Sequence, residues 1–139
     1  MMTRDEKFEQ LLHHLRLMNT SGWELTYEAA LGGDDESLVE LAVFAKKLGL
    51  GHEVVSLLEE ATAHECGAAF YELGNYFYEE AVAKEQLVKV LNFYERAAHL
   101  GHADAMNNLA DMYLNGEGTT VDEKCAYHWF EQAAAQGVV

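Results

Sequence analysis

Seven histidines, two cysteines and 24 acidic side chains are the groups on this 139-residue chain able to ligate a metal or move a proton. Their spacing serves neither purpose. His13 and His14 are adjacent, and neighbours on a helix point about 100° apart, so the pair does not close on one ion. His64, Glu65 and Cys66 place two ligand types near a helix start, yet no third or fourth ligand follows at the paired spacings from which zinc sites are built. Cys66 and Cys125 form no C-x-x-C pair and read as free thiols. His99 and His102 flank Gly101 at a turn, where their expected role is hydrogen bonding to helix ends. No H-E-x-x-H, G-x-S-x-G, G-K-S/T or dinucleotide glycine pattern is present. Gly116 and Gly118 follow a helical stretch rather than a strand, with no Lys or Arg poised to hold a phosphate. The expectation is a protein with no catalytic residues, no metal and no cofactor. A metal-dependent or other enzyme is the remote alternative, and elemental analysis would expose a bound metal.

Charge narrows the partner. Nine basic residues face 24 acidic ones, a formal net charge of −15. The excess runs the whole length: nine acids against five bases from Met1 to Leu50, and six against one from Gly101 onward. A phosphate backbone is bound by Lys and Arg that release its counterions, so nucleic acid is a poor partner. Anionic membrane surfaces fail for the same reason. A basic protein or peptide would be steered towards the chain. Met1–Lys7 carries no apolar run of signal-peptide length, and no stretch approaches the roughly 20 apolar residues of a membrane helix. The expected compartment is the cytoplasm.

The elements that must position any binding groups are helices. Half of the residues are apolar, proline is absent, and Ala, Leu and Glu are abundant. These side chains lose little freedom in a helix, and β-branched residues never alternate with polar ones over a strand's length. A repeat organises them. Shifted by 36 residues, the second half lies on itself without a gap: Leu73 on Leu109, Gly74 on Ala110, Phe77 on Tyr113, Phe93 on Trp129, Tyr94 on Phe130, Ala97-Ala98 on Ala133-Ala134, and Gly101 on Gly137. Such a period marks stacked units. Each unit reads as two helices. In the last, one runs from about 103 to 115, Gly116-Glu117-Gly118 breaks the chain, and a second from about 121 to 136 buries Ala126, Trp129, Phe130 and Ala133. Gly74, Ala97, Ala98, Ala110, Ala133 and Ala134 are expected to be small so that helix backbones approach closely.

These residues resemble the Sel-one-like repeat, a relative of the tetratricopeptide repeat. The last unit carries Ala105, Leu109, Ala110, Tyr113, Gly116, Gly118, Asp122, Ala126, Trp129, Phe130, Ala133, Ala134 and Gly137 at the family's positions, with Cys125 where Lys is usual. The preceding unit matches through Ala69, Leu73, Gly74, Phe77, Lys89, Phe93, Tyr94, Ala97, Ala98 and Gly101, but has Glu80 and Val82 in place of the G-x-G turn. The resemblance implies an all-α fold, an α-solenoid of antiparallel helix pairs winding into a right-handed superhelix. The whole chain, 1–139, is then one helical-repeat domain: divergent capping repeats over 1–65, and repeats over 66–101 and 102–137.

The first 65 residues match poorly but still read as helices. Phe8, Leu11, Leu12, Leu15 and Met18 form one apolar stripe. Asn19–Gly22 breaks the chain before a short helix near Trp23–Leu31. Gly32-Gly33-Asp34-Asp35 breaks it again and starts a helix from Glu36 to Leu48, closed by Gly49 and Gly51. A further helix carries Val54, Val55, Leu57, Leu58 and Ala61.

In repeats of this kind the first helix of each pair lines a concave groove. The groove positions are then Tyr71, Glu72, Asn75, Tyr78 and Glu79 in one unit, with Ala68, and Asp104, Asn107, Asn108, Asp111 and Asn115 in the next, with Leu114. Amides, tyrosines and carboxylates suit a basic peptide, and the absence of Lys and Arg argues against an acidic tail. A second surface lies on the final helix, where Tyr127, Trp129 and Phe130 exceed one packing face. No polar capping helix follows before Val139, so another chain, including a second copy, is an expected cover. The resulting expectation is a protein–protein interaction module, an adaptor or regulator. Its alternative is an immunity-type inhibitor that neutralises a basic toxin.

Overall fold

The computed structural model describes residues 3–17 and 23–137. Met18 and the break expected at Asn19–Gly22 lie outside the described residues. Among those described there are eight α-helices and no strand: α1 (Arg4–Leu17), α2 (Glu24–Leu31), α3 (Asp35–Lys47), α4 (Gly51–Thr62), α5 (Gly67–Glu80), α6 (Lys84–His99), α7 (Ala103–Asn115) and α8 (Glu123–Ala135). They fall into two compact units, 1–64 and 65–139.

In the first unit α2 packs on α3 and α3 on α4. The α1 stripe turns Phe8, Leu11 and Leu15 inward. Phe8 meets Tyr27 edge to face at 5.7 Å, and the Tyr27 hydroxyl donates to the Phe8 carbonyl at 3.2 Å. Arg4 is ion-paired with Glu60 and donates to the Ala30 and Leu31 carbonyls, so one guanidinium joins α1, α4 and the end of α2. Asp34 caps α3 by accepting from the Ser37 N–H at 3.0 Å and hydroxyl at 2.7 Å, and these bonds hold its carboxyl below the usual range. Asp35 and Glu36 in the first turn and Lys46 and Lys47 in the last match the helix dipole. One expectation is corrected here. Gly49 (φ 75°) ends the α3 turn alone, whereas Gly51 is the first residue of α4.

In the second unit α5 packs on α6, α6 on α7, and α7 on α8. Phe70, Val90, Leu91, Tyr94, Ala97, Ala98, Ala105, Met106, Leu109, Met112 and Ala133 form one buried cluster. The G-x-G turn has two separate jobs. Gly116 takes the left-handed conformation (φ 71°, ψ 36°) that ends α7. Gly118 (φ 71°) lies against the α6 backbone, where a Cβ would stand 2.7 Å from the Leu87 carbonyl carbon. The preceding repeat lacks both glycines and solves the turn differently. Ala81 ends α5 in an extended conformation, and the Gln86 side-chain oxygen accepts from the N–H groups of Val82 (2.7 Å) and Ala83 (2.9 Å).

Small residues set the helix spacing at most of the positions expected. A Cβ on Gly74 would sit 2.6 Å from Cε1 of the Tyr94 ring. Gly74→Ala gains about 1 kcal/mol of helix propensity but drives a methyl into a buried aromatic. We expect a net loss of about 1–3 kcal/mol in urea denaturation. Ala133 is fully buried, and Ala133→Leu should cost about 1–3 kcal/mol by overpacking. Its neighbour Ala134 is exposed, which corrects the reading of that alanine as a packing residue. Ala134→Leu should therefore leave stability within about 0.5 kcal/mol. Trp129 and Phe130 are also only half-buried, whereas Ala126 and Ala133 are fully covered. Nothing in the sequence of an amphipathic helix says whether its second apolar face finds a cover.

Candidate partner-binding groove

Across α5, α6 and α7 the second unit has a recess of about 290 Å³, lined by Asn75, Tyr78, Tyr94, Asn108, Asp111, Met112 and the turn residue Glu117. Four of the residues expected to face a groove meet here: Asn75 and Tyr78 from α5, and Asn108 and Asp111 from α7. Glu72, Glu79, Asp104, Asn107 and Asn115 lie on the same two helices but do not line the recess. Tyr71 is placed elsewhere. Its ring stacks on His102 at 4.4 Å and packs against the buried cluster, so it acts as a joint between α5 and the start of α7.

Sequence reasoning missed three lining residues: Tyr94, Met112 and Glu117. Tyr94 is the structural centre. Its ring is buried beside Gly74, and its hydroxyl donates to Asn75 Oδ1 at 2.5 Å, with the Asn108 side chain lining the same recess. Burial pushes the phenol well above its ordinary value of 10.0, so it stays neutral and remains a donor. A signal was present in the sequence. The equivalent position one repeat later is Phe130, so the hydroxyl at 94 is an addition that a buried site obliges to find partners. Glu117, between the two turn glycines, accepts from the Tyr78 hydroxyl at 2.7 Å, and that bond raises the Tyr78 phenol. Every acidic or amide group lining the recess is without a Lys or Arg neighbour in that lining.

The start of α7 is held by a histidine. His102 caps that helix, with Nδ1 accepting from the Ala105 N–H at 3.2 Å. The expectation of a helix-end role for this histidine is met. Burial lowers the His102 pKa from 6.5, against a smaller opposing pull from Asp104. The folded state therefore favours the neutral ring, and the unfolded chain binds the proton more readily. Stability contributed by the neutral cap is complete above about pH 6.5 and is lost as pH falls below it. His102→Asn keeps a capping oxygen that does not titrate. Thermal melts between pH 7.5 and 5 should show a smaller loss for that variant than for the parent.

The other features separate from this recess. His64 pairs with Asp35 at 2.7 Å, and both cysteines are free. Among the described residues no group of three or more His, Cys, Asp or Glu side chains is placed to hold a metal ion. No helix among them is long and apolar enough to cross a membrane. A recess of about 320 Å³ between α1 and α4 is lined by Phe8, Leu11 and Leu57, but its Arg4 is already engaged with Glu60. On α8, Tyr127 is 59% exposed, whereas Leu91, one repeat earlier, is 7% exposed beneath α7. Phe130 and Ala134 likewise occupy the places of the buried Tyr94 and Ala98. Among the described residues the outer face of α8 thus repeats the face of α6 but is more exposed than it.

Packed helix pairs in register, with a polar recess on their first helices, define a helical-repeat protein of the α-solenoid class. The Sel1 repeat family matches at residues 68–102 and 103–138, and the chain belongs to that family. The matched units lie within two residues of the repeats read at 66–101 and 102–137. Among solved structures, a Sel1 repeat protein from Oxalobacter formigenes is similar at a TM-score of 0.72 and 26% identity, over 86% of this chain and 94% of that one. A protective antigen present in uropathogenic Escherichia coli strains and displaying an SLR fold is similar at a TM-score of 0.72 and 22% identity. That likeness of fold covers 98% of this chain and 31% of the antigen. No curated protein matches in sequence. Sel1 repeat proteins generally mediate protein–protein interactions.

Proposed function

We propose that the chain is a non-catalytic interaction module whose α5–α7 recess binds a basic protein or peptide. The observation that carries this reading is the lining itself. Two amides, two tyrosines and two carboxylates converge there, and no cation lies among them. Amides and phenols hydrogen-bond a backbone in any sequence, while the carboxylates and the net charge of −15 favour a cationic partner and speed its approach. The test is capture of partners from the native host by the parent chain and by the triple variant Asn75→Ala, Asn108→Ala, Asp111→Lys. The reading expects the variant to lose the partner while keeping its helical circular dichroism. Retention of the partner would rule the recess out. Tyr71 is left intact in this test because its substitution would disturb the α5–α7 joint.

Adaptor and inhibitor forms of this function differ in partner number. One tight, basic, salt-sensitive partner would favour an immunity-type inhibitor of a toxin, and several weaker ones an adaptor. A second contact is supported by the exposed outer face of α8. Tyr127 and Phe130 lie where the preceding repeat has the buried Leu91 and Tyr94, and a second copy of the chain would supply apolar cover there, whereas Trp129 packs on the buried cluster and His99. Light scattering at micromolar concentration should then report a dimer that Tyr127→Glu dissolves. A monomer for the parent would end that proposal.

A further inference from the structure

The chemistry that the recess selects follows from how its two amides are held. An amide has one carbonyl and one NH₂ group, and a neighbour that takes one of them decides which remains. The Tyr94 hydroxyl gives its proton to Asn75 Oδ1, so towards the Asn108 amide in the same recess its oxygen is able only to accept. Asn75 is therefore left with its NH₂ to donate, and Asn108 with its carbonyl to accept. Both groups line the same recess, beside Asp111 and Glu117. A donor and an acceptor fixed side by side complement the C=O and N–H of an extended peptide segment. Glu117 uses Oε2 to hold Tyr78, which leaves Oε1 and the Asp111 carboxylate as the remaining anionic acceptors.

On the groove reading above, we infer that the recess binds one extended peptide unit through Asn75 and Asn108 and seats that segment's lysine or arginine side chain against Asp111, Glu117 and Tyr78. The aliphatic stem of such a side chain finds the exposed Tyr78 ring, and its charged head reaches the carboxylates. A charged donor meeting a carboxylate forms a stronger bond than a neutral one, so the seat discriminates by charge. Tyr94 is a positioning residue here, acting through the two amides rather than by reaching the cation.

The test is nuclear magnetic resonance titration of the full chain with acetyl-Gly-Arg-Gly-amide and with its citrulline and glutamate counterparts. The arginine peptide is expected to shift the side-chain NH₂ signals of Asn75 and Asn108 and the Tyr78 ring. The citrulline peptide, equal in shape but uncharged, should bind at least about tenfold more weakly, and the glutamate peptide should leave these signals unmoved. Tyr94→Phe should weaken the arginine peptide several-fold while preserving its preference over citrulline. Asn75→Ala removes the donor without adding charge, and should weaken binding even if Tyr94→Phe fails to fold. Equal shifts from the arginine and glutamate peptides would overturn the cation seat and leave the groove standing. Unchanged affinity in Asn75→Ala would overturn the role assigned to the amides. Silence of the recess towards every peptide would remove both the inference and the groove beneath it.

Discussion

Gly118→Ala is expected to lower the stability of the chain by about 3 kcal/mol or more, the largest effect of any single methyl group in the second unit. Two costs add at this position. The residue has φ 71°, a conformation in which an alanine is strained by about 1–2 kcal/mol. The new Cβ would also press on the backbone of α6 at Leu87 and Val88, which cannot rotate aside as a side chain would. Gly116 isolates the first cost. It shares φ 71°, but the atom nearest its Cβ is a Val121 methyl at 3.1 Å, which has some freedom to give. Equilibrium urea denaturation should therefore rank Gly118→Ala well below Gly116→Ala, with both below the parent. Equal losses would mean that the turn does not rest on α6.

Leu109→Ala is expected to cost about 2–5 kcal/mol. Leu109 is fully buried in the cluster that α6 and α7 share, and truncation leaves a cavity that the neighbouring Val90 and Met112 fill only in part. Leu114 lies on the same helix and is 38% exposed, so Leu114→Ala should change stability by no more than about 0.5 kcal/mol. The contrast tests the register of α7 directly. A rotated helix would exchange the two outcomes, and with them the residues offered to a partner.

The helices were legible from the sequence because their signals are local. Asp34 and the glycines at 49, 101 and 116 end or begin elements within a few residues of themselves, and the 36-residue shift exposes pairs such as Leu73 and Leu109 that share one role. The recess was legible only in part. Asn75, Tyr78, Asn108 and Asp111 follow from helical phase, which places them on one side of α5 and α7. Tyr94 comes from the backing helix and enters through the gap that Gly74 leaves, a relation between elements that no spacing within one helix contains. Tyr71 faced the right way by phase yet stacks on His102, because the start of α7 lies close enough to claim its ring. The surplus apolar side chains of α8 were visible as a count. Their half exposure was not, since covering them requires a neighbour rather than a pattern.

The most direct test of the central claim is hydrogen–deuterium exchange of the full chain alone and with its captured protein partner. Protection concentrated in residues 72–79 and 105–117 is the predicted result, because those segments carry the recess. Protection confined to α1–α4 or to α8, with the recess segments unchanged, would contradict it.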